Sequence, residues 1–332
     1  MIRGVVLVAM IAACRSHPAD DACTGKHARP GDHIACSVAG WPDRGFDLAV
    51  PSTWDGKTPL PLVIAYHGGG GNREAARRVT CPAGDERDPK CLVALATARG
   101  FAVVSPDGTP AKLAREMRTW NAGGGKAGRY CASGRACAEH VDDVKFTDDL
   151  LAAVRALAPI DDRRIYATGL SNGAAMAHRI GCERPGVIAA IAPVGGANQH
   201  ADDGGACGAV PVLAIHGSTD PCWPYAGGAQ GCLEQEGVKA DVETTMAGWA
   251  KRNGCRPAYE TAAIPDRDPT DHATSIRRTW TGCTAATELI VVDGGGHTWP
   301  SGWPYLARSG NVTRDFGSEV ILDFFAAHPR AR

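Results

Sequence analysis

The sequence predicts an α/β fold with a mostly parallel central sheet covered by helices on both faces. Three observations carry this expectation. Short apolar runs bounded by Gly or Pro recur along the chain, segments with helical apolar periodicity lie between the later ones, and the later runs are apolar throughout rather than alternating. A strand apolar on both sides belongs in the middle of a sheet with both faces covered, and strands that alternate with helices pair in parallel.

Taken in order, "FDLAV" (46–50), "PLVIAY" (61–66) and "FAVVSP" (101–106) read as the first strands. "VDDVKFTDDLLAAVRALA" follows as a helix, because Val144, Leu151, Val154 and Leu157, with Phe146 and Leu150 beside them, fall on one face. Asp142 and Asp143 stand at its start, where a carboxylate caps the first amides, and are read as caps. "RRIYATG" (163–169) is a strand and "NGAAMAHRIGC" (172–182) a helix. Strands in "GVIAAIAPV" and "VPVLAIHG", a helix in "DVETTMAGWAKRN", a last buried strand in "ELIVVDGG" and a closing helix in "SEVILDFFAAH" complete the pattern. No internal repeat or low-complexity linker divides this region, so 41–332 is expected to be a single domain.

The chain has 332 residues, is 44% hydrophobic and carries a formal charge of -1, enough to bury a large core. Near-neutral charge without Lys/Arg blocks gives no electrostatic footprint for nucleic acid. Residues 1–13 place Arg3 before a short apolar stretch, the pattern of an export signal too short to span a membrane. The context "IAAC" resembles the bacterial lipoprotein signal, in which the cysteine, here Cys14, is lipidated; a plain signal peptide is the alternative. Residues 14–40 are polar and read as a tether. Of the 13 cysteines, Cys14 aside, 12 remain, an even number in an exported chain. Neighbouring pairs would close loops: Cys23 with Cys36, Cys81 with Cys91, Cys131 with Cys137, Cys182 with Cys207, Cys222 with Cys232, and Cys255 with Cys283. No CxxC pair is present, which argues against a structural zinc.

The chemistry gathers around "ATGLSNGAAM". Strand, Gly-x-Ser-x-Gly, helix is the context of a nucleophile held on a sharp turn, with Gly169 and Gly173 letting strand and helix approach and Ser171 presented at a helix N-terminus. A glycine-rich turn with no chemistry is the competing reading, and two further elements argue against it. "AYHGGGGN" (65–72) follows a strand and supplies backbone amides able to hold an oxyanion, worth on the order of 3 kcal/mol each. The amides assigned are those of Gly69 and Asn172. No Gly-Lys-Ser/Thr closes this loop as a phosphate cradle would need, and His67 reads as a structural hydrogen-bonding residue. Downstream, His297 follows a buried strand and a glycine turn, a better place for a base than His272 or His328. Asp220 stands just past a strand as the acid, with Asp293 as the alternative.

The stretches "YHGGGGN", "WNAGG", "VDDVKF", "RRIYATGLSNGAAMAHRIGCERP", "HGSTDPCWPY" and "GGGHTWPSGW" resemble the polyhydroxybutyrate depolymerase and feruloyl esterase-like family over most of residues 45–325. The resemblance implies an α/β-hydrolase fold and a secreted serine esterase, without a cofactor, acting on hydroxycinnamoyl, hydroxyalkanoate or acetyl esters. It implies Ser171, Asp220 and His297 as the triad, in agreement with the residue-level reading. The oxyanion donor falls on Gly69, where many members carry cysteine, a change of little consequence for a backbone donor. His297 is expected to take the Ser171 proton while Asp220 fixes its tautomer, so activity falls as the imidazole becomes protonated. Trp299 and then Trp120 are expected to contact substrate, with Trp223 and Trp303 as further candidates. "DFG" at 315–317 is a chance match to the kinase motif, and "NVT" at Asn311 matches a glycosylation acceptor that means little if the lipoprotein signal is bacterial. An acetyl-xylan-type esterase, a serine peptidase on the same fold and a non-catalytic envelope lipoprotein are the alternative functions. No separate polymer-binding module is visible, which points to soluble oligomers or short esters.

Overall fold

The structure, a computed structural model, describes residues 23–331 apart from 127, 132–134, 203 and 233–236. The expected signal at 1–13 and the lipidation site Cys14 lie outside the described residues.

The strands are β1 (His33–Val38), β2 (Trp41–Ala49), β3 (Leu60–Tyr66), β4 (Ala102–Pro106), the short pair β5 (Thr109–Pro110) and β6 (Arg118–Thr119), β7 (Ile160–Leu170), β8 (Ala190–Val194), β9 (Val212–Gly217), β10 (Tyr259–Ile264), β11 (Thr274–Trp280) and β12 (Thr287–Asp293). The helices are α1 (Arg73–Arg78), α2 (Leu92–Ala98), α3 (Arg135–Ala138), α4 (Asp143–Leu157), α5 (Asn172–Glu183), α6 (Gln199–Asp202), α7 (Val242–Arg252) and α8 (Glu319–Ala327). Ten strands form one sheet in the order β1-β2-β4-β3-β7-β8-β9-β12-β11-β10. Its middle, from β4 to β12, is parallel throughout, and both edges are antiparallel.

Side chains alternate across the parallel strands, so each strand feeds two cores. Leu62 and Ile64 of β3 pack with Phe146 and Leu150 of α4, Met176 of α5 and Trp249 of α7 on one face. Val63 and Ala65 of the same strand pack with Leu92 of α2 and Ile321 and Phe325 of α8 on the other. Phe325 stacks on Tyr166 of β7 with ring centroids 4.7 Å apart. This two-sided burial is why the strands read as unbroken apolar runs. The helix expected at "VDDVKF…" is α4, and its six apolar positions are all buried. Among the described residues no helix is long and apolar enough to cross a membrane.

All six expected cysteine pairs are disulfides. In the chain-entropy model, closing loops of this size is worth about 2–4 kcal/mol each, and such bonds persist in oxidising compartments.

The tether expected over 14–40 needs correcting in its described part. Residues 33–38 are an edge strand registered on β2 from His33 against Ala49, and Cys23–Cys36 pins the preceding turn to it. An edge strand buries only alternate residues, here Cys36 and Val38, so its sequence looks polar.

Candidate active site

Ser171 lies at the junction of β7 and α5 with φ +61° and ψ −120°, a conformation that costs a non-glycine residue about 1–3 kcal/mol. Its amide donates to the Val194 carbonyl at 3.0 Å, which ties the turn to the next strand. The flanking glycines are required by contact. A Cβ on Gly173 would stand 2.3 Å from the Tyr66 carbonyl oxygen, and one on Gly169 would stand 2.6 Å from the same atom. Strand β3 and the elbow touch through bare main chain.

The glycine loop after β3 runs beside this elbow: a Cβ on Gly68 would lie 3.5 Å from the Ser171 Cβ, and one on Gly69 would lie 3.5 Å from the Asn172 Cβ. His67 holds the loop from inside the fold. Its Nδ1–H donates to the Gly68 carbonyl at 2.8 Å and its Nε2 accepts the Gly108 N–H at 2.9 Å, fixing a neutral ring. Burial pushes its pKa down to about 4, in keeping with a structural role. The Gly70 amide donates to the Arg118 carbonyl at 2.8 Å, anchoring the loop tip. Asn172 contributes more than its amide. Its Oδ1 accepts the Trp120 N–H at 2.7 Å and its Nδ2 donates to the Trp120 carbonyl at 3.1 Å.

Asp220 follows β9 and His297 follows the glycine turn after β12, strands that are parallel neighbours. Gly217 packs so closely on this turn that a Cβ there would lie 2.3 Å from the Gly295 carbonyl oxygen. The two side chains meet: His297 Nδ1–H donates to Asp220 Oδ2 at 2.7 Å, with both residues buried. Asp220 Oδ1 accepts the amides of Cys222 at 2.8 Å and Trp223 at 2.7 Å. Burial raises the Asp220 pKa, but the charge and hydrogen bond of His297, then His216 and the Trp223 amide, outweigh it and hold the carboxyl below the ordinary aspartate range. His216 is a member of the site that sequence reasoning does not single out. Its Nε2–H donates to the Trp223 carbonyl at 2.8 Å and stands 3.4 Å from Asp220 Oδ2, and burial lowers its pKa. A buried histidine four residues before the acid is the signal that could have found it.

His297 Nε2 is buried and has no hydrogen-bond partner among the described residues. It opens with Ser171 and the glycine loop onto one cavity of about 460 Å³. No hydrogen bond links Ser171 to the free Nε2 of His297. Asp293, the alternative acid, is exposed and accepts the Ser218 hydroxyl at 2.8 Å. His272 is exposed, His328 bonds the Phe324 carbonyl at the end of α8, and neither lines the cavity. Asp220, Cys222 and His297 cluster like metal ligands, yet the Cys222 sulfur is in a disulfide and the other two groups bond each other.

Two expected substrate contacts are corrected. Trp299 is buried in the core beside α8 with its Nε1–H on the Ser318 hydroxyl at 3.0 Å, because the chain turns back between Trp299 and Gly302. Trp120 is buried beneath the glycine loop, its Nε1–H on the His67 carbonyl at 3.0 Å and its ring against Tyr66. Trp223 and Trp303 line the cavity instead. Of the two expected caps, Asp142 caps α4 through the Lys145 amide, whereas Asp143 is buried, paired with Arg44 at 2.6 Å and accepting the Asn121 amide at 2.6 Å.

No family model matches the chain. It is 26% identical over 269 residues to feruloyl esterase B of Piromyces equi, covering 78% of this chain and 44% of that protein. It is 30% identical over 195 residues to the putative esterase NocK of Nocardia uniformis, covering 55% and 56%. The chain thus spans about half the length of these two relatives. It matches a probable feruloyl esterase C of Aspergillus niger at 26% identity over 323 residues, 97% of this chain and 96% of the relative. Among solved structures, an acetyl xylan esterase from Aspergillus awamori superposes with a TM-score of 0.56 at 14% identity over 89% of this chain and 99% of that one. Native pOPH does so with 0.54 at 16% identity over 93% and 90%. At these identities the structural matches bear on the fold alone.

Proposed function

We propose that this chain, an α/β-hydrolase similar in sequence to the feruloyl esterases, is a serine carboxylic-ester hydrolase. The single observation that carries the reading is the buried Asp220–His297 hydrogen bond opening onto the same cavity as a serine on a strained elbow. Ser171 Oγ attacks the ester carbonyl and passes its proton to His297 Nε2. The oxyanion lies against the amides of Gly69 and Asn172, and the imidazolium is stabilised by Asp220. Collapse breaks the bond to the alkoxy group, which leaves with the proton from Nε2. Water then attacks the acyl-serine, giving up its proton to Nε2, and collapse of that adduct returns a proton to Ser171 and frees the acid.

Substrates on this reading are hydroxycinnamoyl, hydroxyalkanoate or acetyl esters. Support comes from the names of the sequence relatives and from a cavity walled largely by apolar and aromatic side chains such as Val79, Leu170, Trp223 and Trp303. The six disulfides support export to an oxidising compartment, with Cys14 as the site of a lipid anchor. Hydrolysis of p-nitrophenyl acetate by the wild type and by Ser171→Ala tests the mechanism. The alanine variant is expected to lose turnover by at least about 10⁴-fold while remaining folded, and retained turnover would defeat the assignment.

A further inference from the structure

Among the described residues, the cavity wall carries three side chains of fixed charge: Glu74, Arg78 and Lys239. Glu74 and Arg78, one turn apart on α1, approach to 3.9 Å as a half-exposed pair that leaves no net charge. Lys239 is different: its residue is 2% exposed. Among the described residues its ammonium donates one hydrogen bond, to the Gln230 carbonyl at 2.9 Å, and has no carboxylate within ion-pairing distance. It also lies 4.4 Å from the centre of the Tyr130 ring, and Tyr130 lines the same cavity. Burial holds its pKa below the ordinary lysine value, against the pull of Asp220. Taking an ammonium out of water is costly unless a partner offsets it. One carbonyl and a ring face offset part of that, and an ammonium with three donors retains capacity for an anionic acceptor.

We propose that Lys239 is a specificity-determining residue that selects ester substrates bearing a carboxylate, with the intervening hydrocarbon packed on the apolar walls of the cavity. The inference rests on the ester-hydrolase reading, and its experiment separates the two. Monoethyl adipate is compared with its amide, ethyl adipamate, to place the carboxylate on the acyl side. The ester 4-butyryloxybutanoate is compared with its amide to place it on the alcohol side. Expected is a preference in kcat/KM of at least tenfold for the carboxylate member of one pair, collapsing to near unity in Lys239→Met. The ratio within each pair is insensitive to loss of active protein. Equal rates within both pairs for the wild type, or a preference that survives in Lys239→Met, would overturn it. Should that variant fail to fold, calorimetric titration of Ser171→Ala with monoethyl adipate and 4-butyryloxybutanoate, each against its amide, decides the same question. Binding at least tenfold tighter for either carboxylate that persists in Ser171→Ala/Arg78→Met supports the role of Lys239, and equal affinities within both pairs, or a preference lost with Arg78, overturn it. If no ester is hydrolysed, the catalytic reading fails while the titration still reads the carboxylate site.

Discussion

Replacing Asp220 by Asn changes one atom and is expected to abolish the base. Asp220 Oδ1 faces two N–H donors, those of Cys222 and Trp223 at 2.8 and 2.7 Å, so the asparagine must keep its carbonyl oxygen there or lose both bonds. That choice aims its NH₂ at His297 Nδ1, where Oδ2 stood 2.7 Å away. Nδ1 then has to accept, the proton moves to Nε2, and Nε2 can no longer take the Ser171 proton. An analogous tautomer error in serine proteases lowers kcat about 10⁴-fold, which at about 1.4 kcal/mol per decade is roughly 5.5 kcal/mol of transition-state stabilisation. Steady-state hydrolysis of p-nitrophenyl acetate reads the loss, with KM moving less than about threefold because the cavity walls are untouched. Thermal unfolding of the variant checks that the fold survives. Activity of Asp220→Asn within tenfold of wild type, or an equal loss in Asp293→Asn, would refute the assignment.

Two further outcomes follow from the geometry. Gly173→Ala drives a methyl against the Tyr66 and His67 carbonyl oxygens and is expected to destabilise by roughly 3 kcal/mol or more in urea unfolding. Gly186→Ala, with no atom within 4 Å of the new methyl, serves as the control, and a loss under about 1 kcal/mol at Gly173 would contradict the packing described. Stability should also fall with acid. Burial first of all holds His67 at about 4 and His178, buried in α5 where its Nδ1 accepts the Trp249 indole N–H at 2.9 Å, at about 3, below the unfolded value of about 6.5, so the unfolded chain binds protons the native one refuses. Their contribution is complete above about pH 6.5 and is lost as pH falls toward those folded values, roughly 2 kcal/mol per group between pH 7.5 and 5. His216 acts in the same direction. Urea unfolding midpoints that stay level over that interval would contradict the neutral, buried assignment.

The parallel half of the sheet is legible in the sequence because each of its strands is buried on two sides, which leaves an unmistakable apolar run. The antiparallel β10–β11 hairpin escapes detection for the opposite reason: β10, "YETAAI", is almost wholly exposed and offers no pattern. Helix α1, "REAARR", is six residues long and buries only Arg73 and Ala76, too little for a periodicity to register. At the site, motif order leads to Ser171, Asp220 and His297 because loops at the ends of neighbouring parallel strands must converge. Trp299 is misplaced by the same reasoning because proximity in sequence to His297 says nothing about which way a reversing loop points a ring. Asp143 looks like a helix cap because its partner, Arg44, is 99 residues away in sequence.

The Cys222–Cys232 bridge gives the cavity a division of labour. Cys222 and Trp223 hand their amides to the acid, and Cys232 returns to the wall of the same chamber. Residues 224–231 therefore form a hem stitched at both ends. Residues of that hem lie outside the wall of the chamber and can vary while the stitch keeps Cys222 and Trp223 on the Asp220 carboxylate. Variation at the surface and constancy of the Asp220–His297 hydrogen bond can thus coexist within a dozen residues.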